Sequence, residues 1–341
     1  MPRVVRAVRP EKILVIESRH LGDVVFAMPA LRSLKTAYPA AHVAALVRPA
    51  SAAVLNNHPS VDEILPYEDD RYVDLVDSLA ARSFDLACVM DRDERAAQLA
   101  YQAGVAVRIG YDRPANLPFL THPVSRTDQG SSEIRWSLKL AYAAGGAPVD
   151  ETPEIFPAND WLVRLRRWSL DPGGFVLIHP GSEPSAPYKR WPVERFAEVA
   201  RKLADDGHTI VVTGLPAEKY LEKYFLKIPS IRSLVGETSL EELIALVSGA
   251  RLVITNDTGP SHVAAALKRP CITVTGFADP KIYHPYPDPH RVLFRPIACS
   301  PCFGRRWDPQ DCPFHSCLKA IGVEDVLKQA VELLDARPLT A

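Results

Sequence analysis

No stretch of this 341-residue chain approaches the ~20 consecutive apolar residues needed to cross a bilayer. The apolar run nearest the N-terminus, residues 13–16, is too short for the core of a secretion signal. A cytoplasmic protein is therefore expected, at most peripheral at the inner face of the cytoplasmic membrane. An excess of one charge is also lacking. Lysine plus arginine number 40 and aspartate plus glutamate 41, for a net charge of -1. That balance leaves no global footprint for nucleic acid, and none is expected as a partner. Cysteine is sparse, with six residues, and in a reducing compartment they do not form a disulfide framework. No repeat relates one half of the sequence to the other. The one local charge bias is a basic tip of Arg3, Arg6, Arg9 and Lys12. It reads either as a solvated terminus or as a weak contact with an anionic membrane.

What is present is an alternation of short apolar runs with helical patterns. KILVIES (12–18), HVAALV (42–47), DEILP (62–66) and FDLACVM (84–90) read as strands. Helical spacing covers 24–37, 51–58, 72–82 and 132–144, and the periodicity lapses around 116–130. Glycines and prolines between 145 and 157 suggest a boundary, followed by a short helix over 161–168. The alternation then restarts. Strands are expected at 175–179, 209–213, 252–255 and 271–275, and helices at 193–205, 217–226, 239–248, 261–267 and 323–334. This pattern defines an α/β fold with two Rossmann-like, doubly wound domains facing a central cleft. The expected organisation is a first domain over 1–155, a linker over 156–172, a second domain over 173–322 and a C-terminal helical segment over 323–341.

In such sheets ligands sit beyond the carboxyl ends of strands, and polar motifs fall there. After the first strand comes Leu21-Gly22-Asp23. Asp23 reads as a helix cap or as a general base, with Gly22 admitting a substrate to the backbone. After the strand at 175–179 come Gly181, Ser182 and, further on, Lys189, a set of donors suited to a phosphate. After the strand at 252–255 comes Asn256-Asp257-Thr258-Gly259-Pro260-Ser261-His262, small and hydroxyl residues opening a helix, which suits a diphosphate. Glu218, again just past a strand, reads as an ordinary first-turn acid or as an acceptor for a ribose diol.

Together these pieces resemble glycosyltransferase family 9, the ADP-heptose:lipopolysaccharide heptosyltransferases. The matching stretches are HLGDVVFAMPALRSL, RIGYDR, IHPGS…KRWPVERF, VTGLPAE and TNDTGPSHVAAAL, spread over nearly the whole chain. The resemblance implies the two-domain GT-B architecture and an inverting transfer of heptose from ADP-heptose to a lipopolysaccharide core or related glycan. It implies Asp23 as catalytic base, Lys189 at the donor phosphates, Asp257–His262 around the diphosphate and Glu218 at the ribose. On that reading Ser182, Glu218, Asp257, Thr258, Gly259, Ser261 and His262 bind donor, and Gly22, Asp91 and Arg113 lie on the acceptor side. One base plus helix N-termini and Lys189 suffices for such a transfer, so the chemistry requires no cofactor. Family members often carry D-x-Q-G where this chain has Asp91-Arg92-Asp93-Glu94, which leaves the acceptor open. The D-x-D spacing also matches a metal motif of a different glycosyltransferase fold. The alternatives are a member using another nucleotide sugar or a protein acceptor, and a non-catalytic nucleotide-sugar binding protein.

Four cysteines crowd residues 299–317: Cys299-x-x-Cys302, Cys312 and Cys317. In a proline-stiffened loop they read as ligands of a structural zinc or iron, or as free thiols. Cys88 and Cys271 lie within strands and are expected in the core.

Overall fold

The computed structural model describes residues 9–127, 130–228, 230–303 and 309–336. The chain divides into two compact units, Met1–Phe156 and Pro157–Ala341. Among the described residues no helix is long and apolar enough to cross a membrane.

In the first unit the strands are β1 (Lys12–Glu17), β2 (His42–Val47), β3 (Glu63–Pro66), β4 (Leu86–Val89), β5 (Val107–Tyr111) and β6 (His122–Val124). They form one sheet in the order β3-β2-β1-β4-β5-β6, every pair parallel. The helices are α1 (Leu21–Ala37), α2 (Pro49–Ala52), α3 (Tyr72–Arg82), α4 (Glu94–Gln102) and α5 (Glu133–Ala143). α1 packs against α5. Leu14, Ile16, Leu46, Leu79 and Leu99 belong to one buried cluster.

The second unit opens with α6 (Trp161–Arg167), which packs on α8 (Leu240–Gly249) of the same unit. Its strands are β7 (Phe175–His179), β8 (Thr209–Gly214), β9 (Ile231–Val235), β10 (Leu252–Asn256), β11 (Cys271–Thr275) and β12 (His290–Phe294). The sheet order is β12-β11-β10-β7-β8-β9, again parallel throughout. Counted from its own first strand this is the same winding as in the first unit, the 3-2-1-4-5-6 order of a dinucleotide-type fold. The remaining helices are α7 (Val193–Asp205), α9 (Gly259–Ala266), α10 (Pro280–Tyr283), α11 (Ser316–Lys319) and α12 (Val323–Asp335). α12 packs on α7. Trp191 is fully buried, its indole N–H donating to the Ile321 carbonyl at 3.0 Å.

Several sequence expectations need correction. The helix expected over 51–58 is only the short α2 and a 3-10 turn at Ala53–Leu55. The one expected over 217–226 is a 3-10 run, Pro216–Tyr224. α4, β5, β6, β9 and β12 were not anticipated. Of the basic tip, Arg3 and Arg6 lie outside the described residues. Lys12 begins β1, and its ammonium donates to the Arg82 carbonyl at 2.9 Å, so it belongs to the sheet end.

Candidate functional site

In each unit the winding reverses beside the first strand, at β1/β4 and at β7/β10. Such switch points open a crevice at the carboxyl ends of the strands. The polar motifs collect at both.

At the first switch point, the loop after β1 is tied to the loop after β4. The Asp91 carboxylate, 1 % exposed, accepts from the Ser18 amide at 3.1 Å and from its hydroxyl at 2.5 Å. Its other oxygen accepts from the Asp93 amide at 2.8 Å. Asp93 in turn caps α4, accepting from the Arg95 amide at 3.0 Å. Asp91 is thus held by two backbone amides and the Ser18 hydroxyl, and Asp93 caps a helix. α1 begins at Leu21, so Gly22 is a first-turn helical residue rather than a bare loop position. Asp23 is the third helical residue, and its carboxylate accepts from the His20 amide at 3.3 Å. A capping role and a chemical one are thus compatible, because one oxygen caps and the other meets Arg19.

Arg19, not singled out from the sequence, is the hub of this corner. Its guanidinium lies 2.9 Å from Glu17, 3.0 Å from Asp23 and 3.7 Å from Asp91. Burial pushes Glu17 up to about 7 even though Arg19 opposes it, and the neighbouring Asp23 adds to the rise. Burial works against the Arg19 charge too, but Glu17, then Asp23 and Asp91, outweigh it and hold Arg19 above its ordinary value. Beside this hub is a cavity of about 670 Å³ whose walls include Ser18, Arg19, Arg48, Asp91, Arg92 and Arg113. Arg113 is exposed and donates to the Arg92 carbonyl at 2.8 Å. A cavity with several guanidinium groups suits a polar, anionic or polyhydroxylated ligand.

At the second switch point a buried asparagine makes the connection. Asn256 Nδ2 donates to the Pro180 carbonyl at 2.8 Å and the Gly181 carbonyl at 3.1 Å, while Oδ1 accepts from the Trp191 amide at 2.9 Å. Glu218 is buried, accepting from the Ser182 amide at 2.6 Å and the Leu215 amide at 2.7 Å. A methyl group on Gly181 would stand 2.1 Å from Glu218 Oε1, so only glycine admits the carboxylate there. Burial raises Glu218, with the two amides and Arg190 opposing. Ser182 is also engaged. Its hydroxyl donates to the Ala186 carbonyl at 2.8 Å and accepts from Arg190 Nε at 2.9 Å.

α9 starts directly after β10. Thr258 is its N-cap residue, and the buried Ser261 hydroxyl donates to the Thr258 carbonyl at 2.8 Å. Asp257 is buried, with one oxygen accepting from the Thr275 hydroxyl at 2.9 Å. Its other oxygen lies 2.8 Å from His284 Nε2 and 3.9 Å from His262 Nε2. The two imidazoles stack with centroids 5.0 Å apart, and His262 Nδ1 meets the Tyr286 hydroxyl at 2.8 Å. Burial opposes the Asp257 charge, but His284, then His262 and Lys189, hold its carboxyl well below the ordinary range. Burial and His284 press His262 down to about 3, so it is neutral near pH 7. Lys189 lies 3.4 Å from Glu183 and over the Phe277 ring at 5.6 Å. The expected donor residues therefore gather around β7, β10 and the start of α9. Asn256 stood in the strand-end motif without an assigned role; His284 was not singled out, and it follows no strand-end motif that could have flagged it.

Cys88 and Cys271 are fully buried in their strands, and burial pushes each thiol up to about 12. In the C-terminal segment Cys299 is exposed and Cys302, Cys312 and Cys317 are half-buried, Cys317 lying on α11 rather than in the expected loop. Burial raises Cys317, and Cys302, Cys299 and Cys312 add to the rise. Among the described residues, however, the side chains whose ligand atoms lie within 4.8 Å of one another are Asp257, His262 and His284, not the four cysteines.

Two parallel six-stranded sheets, each with its polar residues at the switch point, are the layout of a GT-B-type fold. The model of glycosyltransferase family 9 (heptosyltransferase) matches residues 72–310, and the chain belongs to that family. The lipopolysaccharide heptosyltransferase 2 of Escherichia coli K12 is 26% identical over 311 residues, covering 83% of this chain and 87% of the relative. The solved structure of the E. coli ADP-heptose lps heptosyltransferase II has a TM-score of 0.79 at 26% identity, covering 95% and 98% of the two chains. The E. coli heptosyltransferase WaaC with ADP-2-deoxy-2-fluoro heptose shares the fold, with a TM-score of 0.74 at 22% identity over 94% and 99%. The protein is thus a glycosyltransferase of the heptosyltransferase family.

Proposed function

We propose that this enzyme transfers heptose from ADP-heptose to a lipopolysaccharide core or related glycan, with inversion at the anomeric carbon. Asp23 is the base that takes the proton from the acceptor hydroxyl as that oxygen attacks the anomeric carbon. The carbon–oxygen bond to ADP breaks, and its electron pair leaves with the diphosphate. Lys189 and the amides at the start of α9 receive that charge. Glu218 retains unused lone pairs for a ribose hydroxyl, and the guanidinium-rich cavity beside Arg19 takes the acceptor. The observation that carries this reading is the gathering of the strand-end residues of the second unit: Glu218 on the Ser182 amide, Asn256 on the Pro180–Gly181 carbonyls, and Ser261 and His262 in the first turn of α9.

The acceptor is attached to lipid on this reading, so the enzyme works peripherally at the cytoplasmic face of the inner membrane. The four cysteines are taken as ligands of a structural zinc or iron, because soft thiolates select such ions. Cys302 and Phe303 donate their amides to the Phe277 carbonyl, each at 2.9 Å, which anchors this loop just beyond β11.

A thermal-shift series with ADP, UDP, GDP and CDP, followed by product analysis with ADP-heptose, tests the function. ADP should raise the melting temperature most, and a heptosylated glycan should form. A larger shift with UDP, GDP or CDP would defeat the donor assignment. Binding of ADP-heptose without turnover on any core glycan would instead favour a nucleotide-sugar binding protein.

A further inference from the structure

Asp257, His262 and His284 form a nitrogen- and oxygen-donor cluster that the transfer chemistry does not need in full. One ligand atom from each lies within 4.8 Å of the others, and all three residues are buried. From Asp257 Oδ1 the distances are 2.8 Å to His284 Nε2 and 3.9 Å to His262 Nε2. A tetrahedral ion with bonds of about 2.0–2.1 Å spaces its ligands about 3.3 Å apart, and the two observed distances bracket that value. The approach of His284 to Asp257 is not directed as a hydrogen bond, and neither ring nitrogen of His284 has a hydrogen-bond partner among the described residues. Buried polar atoms are normally satisfied; here Nε2 has only the Asp257 carboxylate, at 2.8 Å, and Nδ1 has no partner, which leaves the Nε2 side open to a cation shared with that carboxylate. The outer contacts are those of a ligand set. Thr275 holds the far oxygen of Asp257 at 2.9 Å, and Tyr286 holds the far nitrogen of His262 at 2.8 Å. Such partners fix carboxylate and imidazole orientation around metals.

We infer that Asp257 Oδ1, His262 Nε2 and His284 Nε2 bind a late first-row divalent cation of the zinc or ferrous class. Imidazole and carboxylate donors suit those ions. Three protein ligands leave at least one coordination position open. An oxygen of a phosphate can fill it; that use, unlike the binding itself, rests on the donor site proposed above. The cation is an addition to the cofactor-free chemistry expected from the sequence.

The binding is tested without nucleotide, so its failure leaves the glycosyl-transfer reading untouched. Full-length protein is stripped with chelator and titrated with Co²⁺, whose visible spectrum separates nitrogen and oxygen ligands from thiolates. The expected result is one equivalent with a nitrogen/oxygen spectrum, distinct from the thiolate charge-transfer bands of any cobalt held by the cysteine loop. Thr275→Val, which keeps the shape but frees Asp257, should weaken that equivalent roughly 10–100-fold. His284→Asn should weaken it by at least as much. Circular dichroism establishes that each variant is folded, and Thr275→Val alone decides the matter where His284→Asn is not. Absence of the nitrogen/oxygen spectrum, or equal affinity in the parent and a folded variant, overturns the site.

Discussion

Replacing Asn256 with alanine should loosen the second switch point by an amount that its contacts set. The side chain accepts from the Trp191 amide at 2.9 Å and donates to the Pro180 and Gly181 carbonyls at 2.8 and 3.1 Å. Asn256 and the Trp191 ring are both 0% exposed. Truncation leaves a buried N–H without its acceptor, at about 1–3 kcal/mol. The two carbonyls lose a donor each, which brings the expected total to about 2–4 kcal/mol. Asn256→Asp is the informative contrast. It keeps an acceptor for Trp191 but sets a carboxylate oxygen against two carbonyls, which raises the acid's folded pKa above its unfolded value. A raised group contributes its stability below the unfolded pKa and loses it as pH rises through the folded one. The Asp variant should therefore recover on acidification relative to the Ala variant, because the protonated acid again donates. Urea titration by tryptophan fluorescence, with hydrogen exchange to assign the transition to the second unit, measures both. A loss under about 1 kcal/mol in the Ala variant, with no protection change at the amides of residues 181, 182 and 191, would refute the latch argument.

Asp23→Asn keeps an acceptor for the His20 amide, so the fold and donor affinity should persist while turnover falls by ~10²–10⁴-fold; near-parental turnover would remove Asp23 from the proton transfer. Lys189→Ala should weaken ADP binding by about 1.5–3 kcal/mol in calorimetry, the worth of a hydrogen bond to a charged group. Unchanged affinity would place the ammonium away from the phosphates. Glu17 is raised by burial from 4.5 to about 7. The folded state therefore holds its proton to higher pH than the unfolded chain, and the group's contribution to stability is present below pH 4.5 and lost as pH rises to about 7. Glu17→Gln should flatten the stability–pH curve across that window, and an unchanged slope in urea titrations would contradict the assignment.

Apart from the edge strand β3, the strands visible in the sequence are those with neighbours on both sides. KILVI, HVAALV, FVLIH, LVIT and CITVT are continuous apolar runs because helices cover both faces of a parallel sheet. The strands that escaped notice lie at or next to a sheet edge. β6, β9 and β12 are edges, and β5 is next to one. HPV carries a proline, tolerated there because an edge need not donate on its open side. IRSLV and HRVLF interleave polar residues because their outer side is not enclosed. The 3-10 run at 216–224 has the apolar spacing of a helix, and its tighter winding is not encoded in that spacing.

Within the candidate site, local chemistry was legible where a strand hands over to a helix. Asp23, the 180–182 loop and 256–262 all follow apolar strands, and the backbone polarity at that junction demands small, hydroxyl or acidic residues. The sequence by itself thus determined two doubly wound halves, the motifs at their strand ends and the family resemblance those motifs carry. Only the tertiary structure decided the partners. Arg19 gathers Glu17, Asp23 and Asp91 because the β1/β4 switch brings two loops together. His284 reaches Asp257 because β11 lies beside β10 and returns the chain to the start of α9. Residue spacing specifies periodicity along one element, whereas the charge state and ligand geometry of a buried group depend on which distant elements the sheet order makes neighbours.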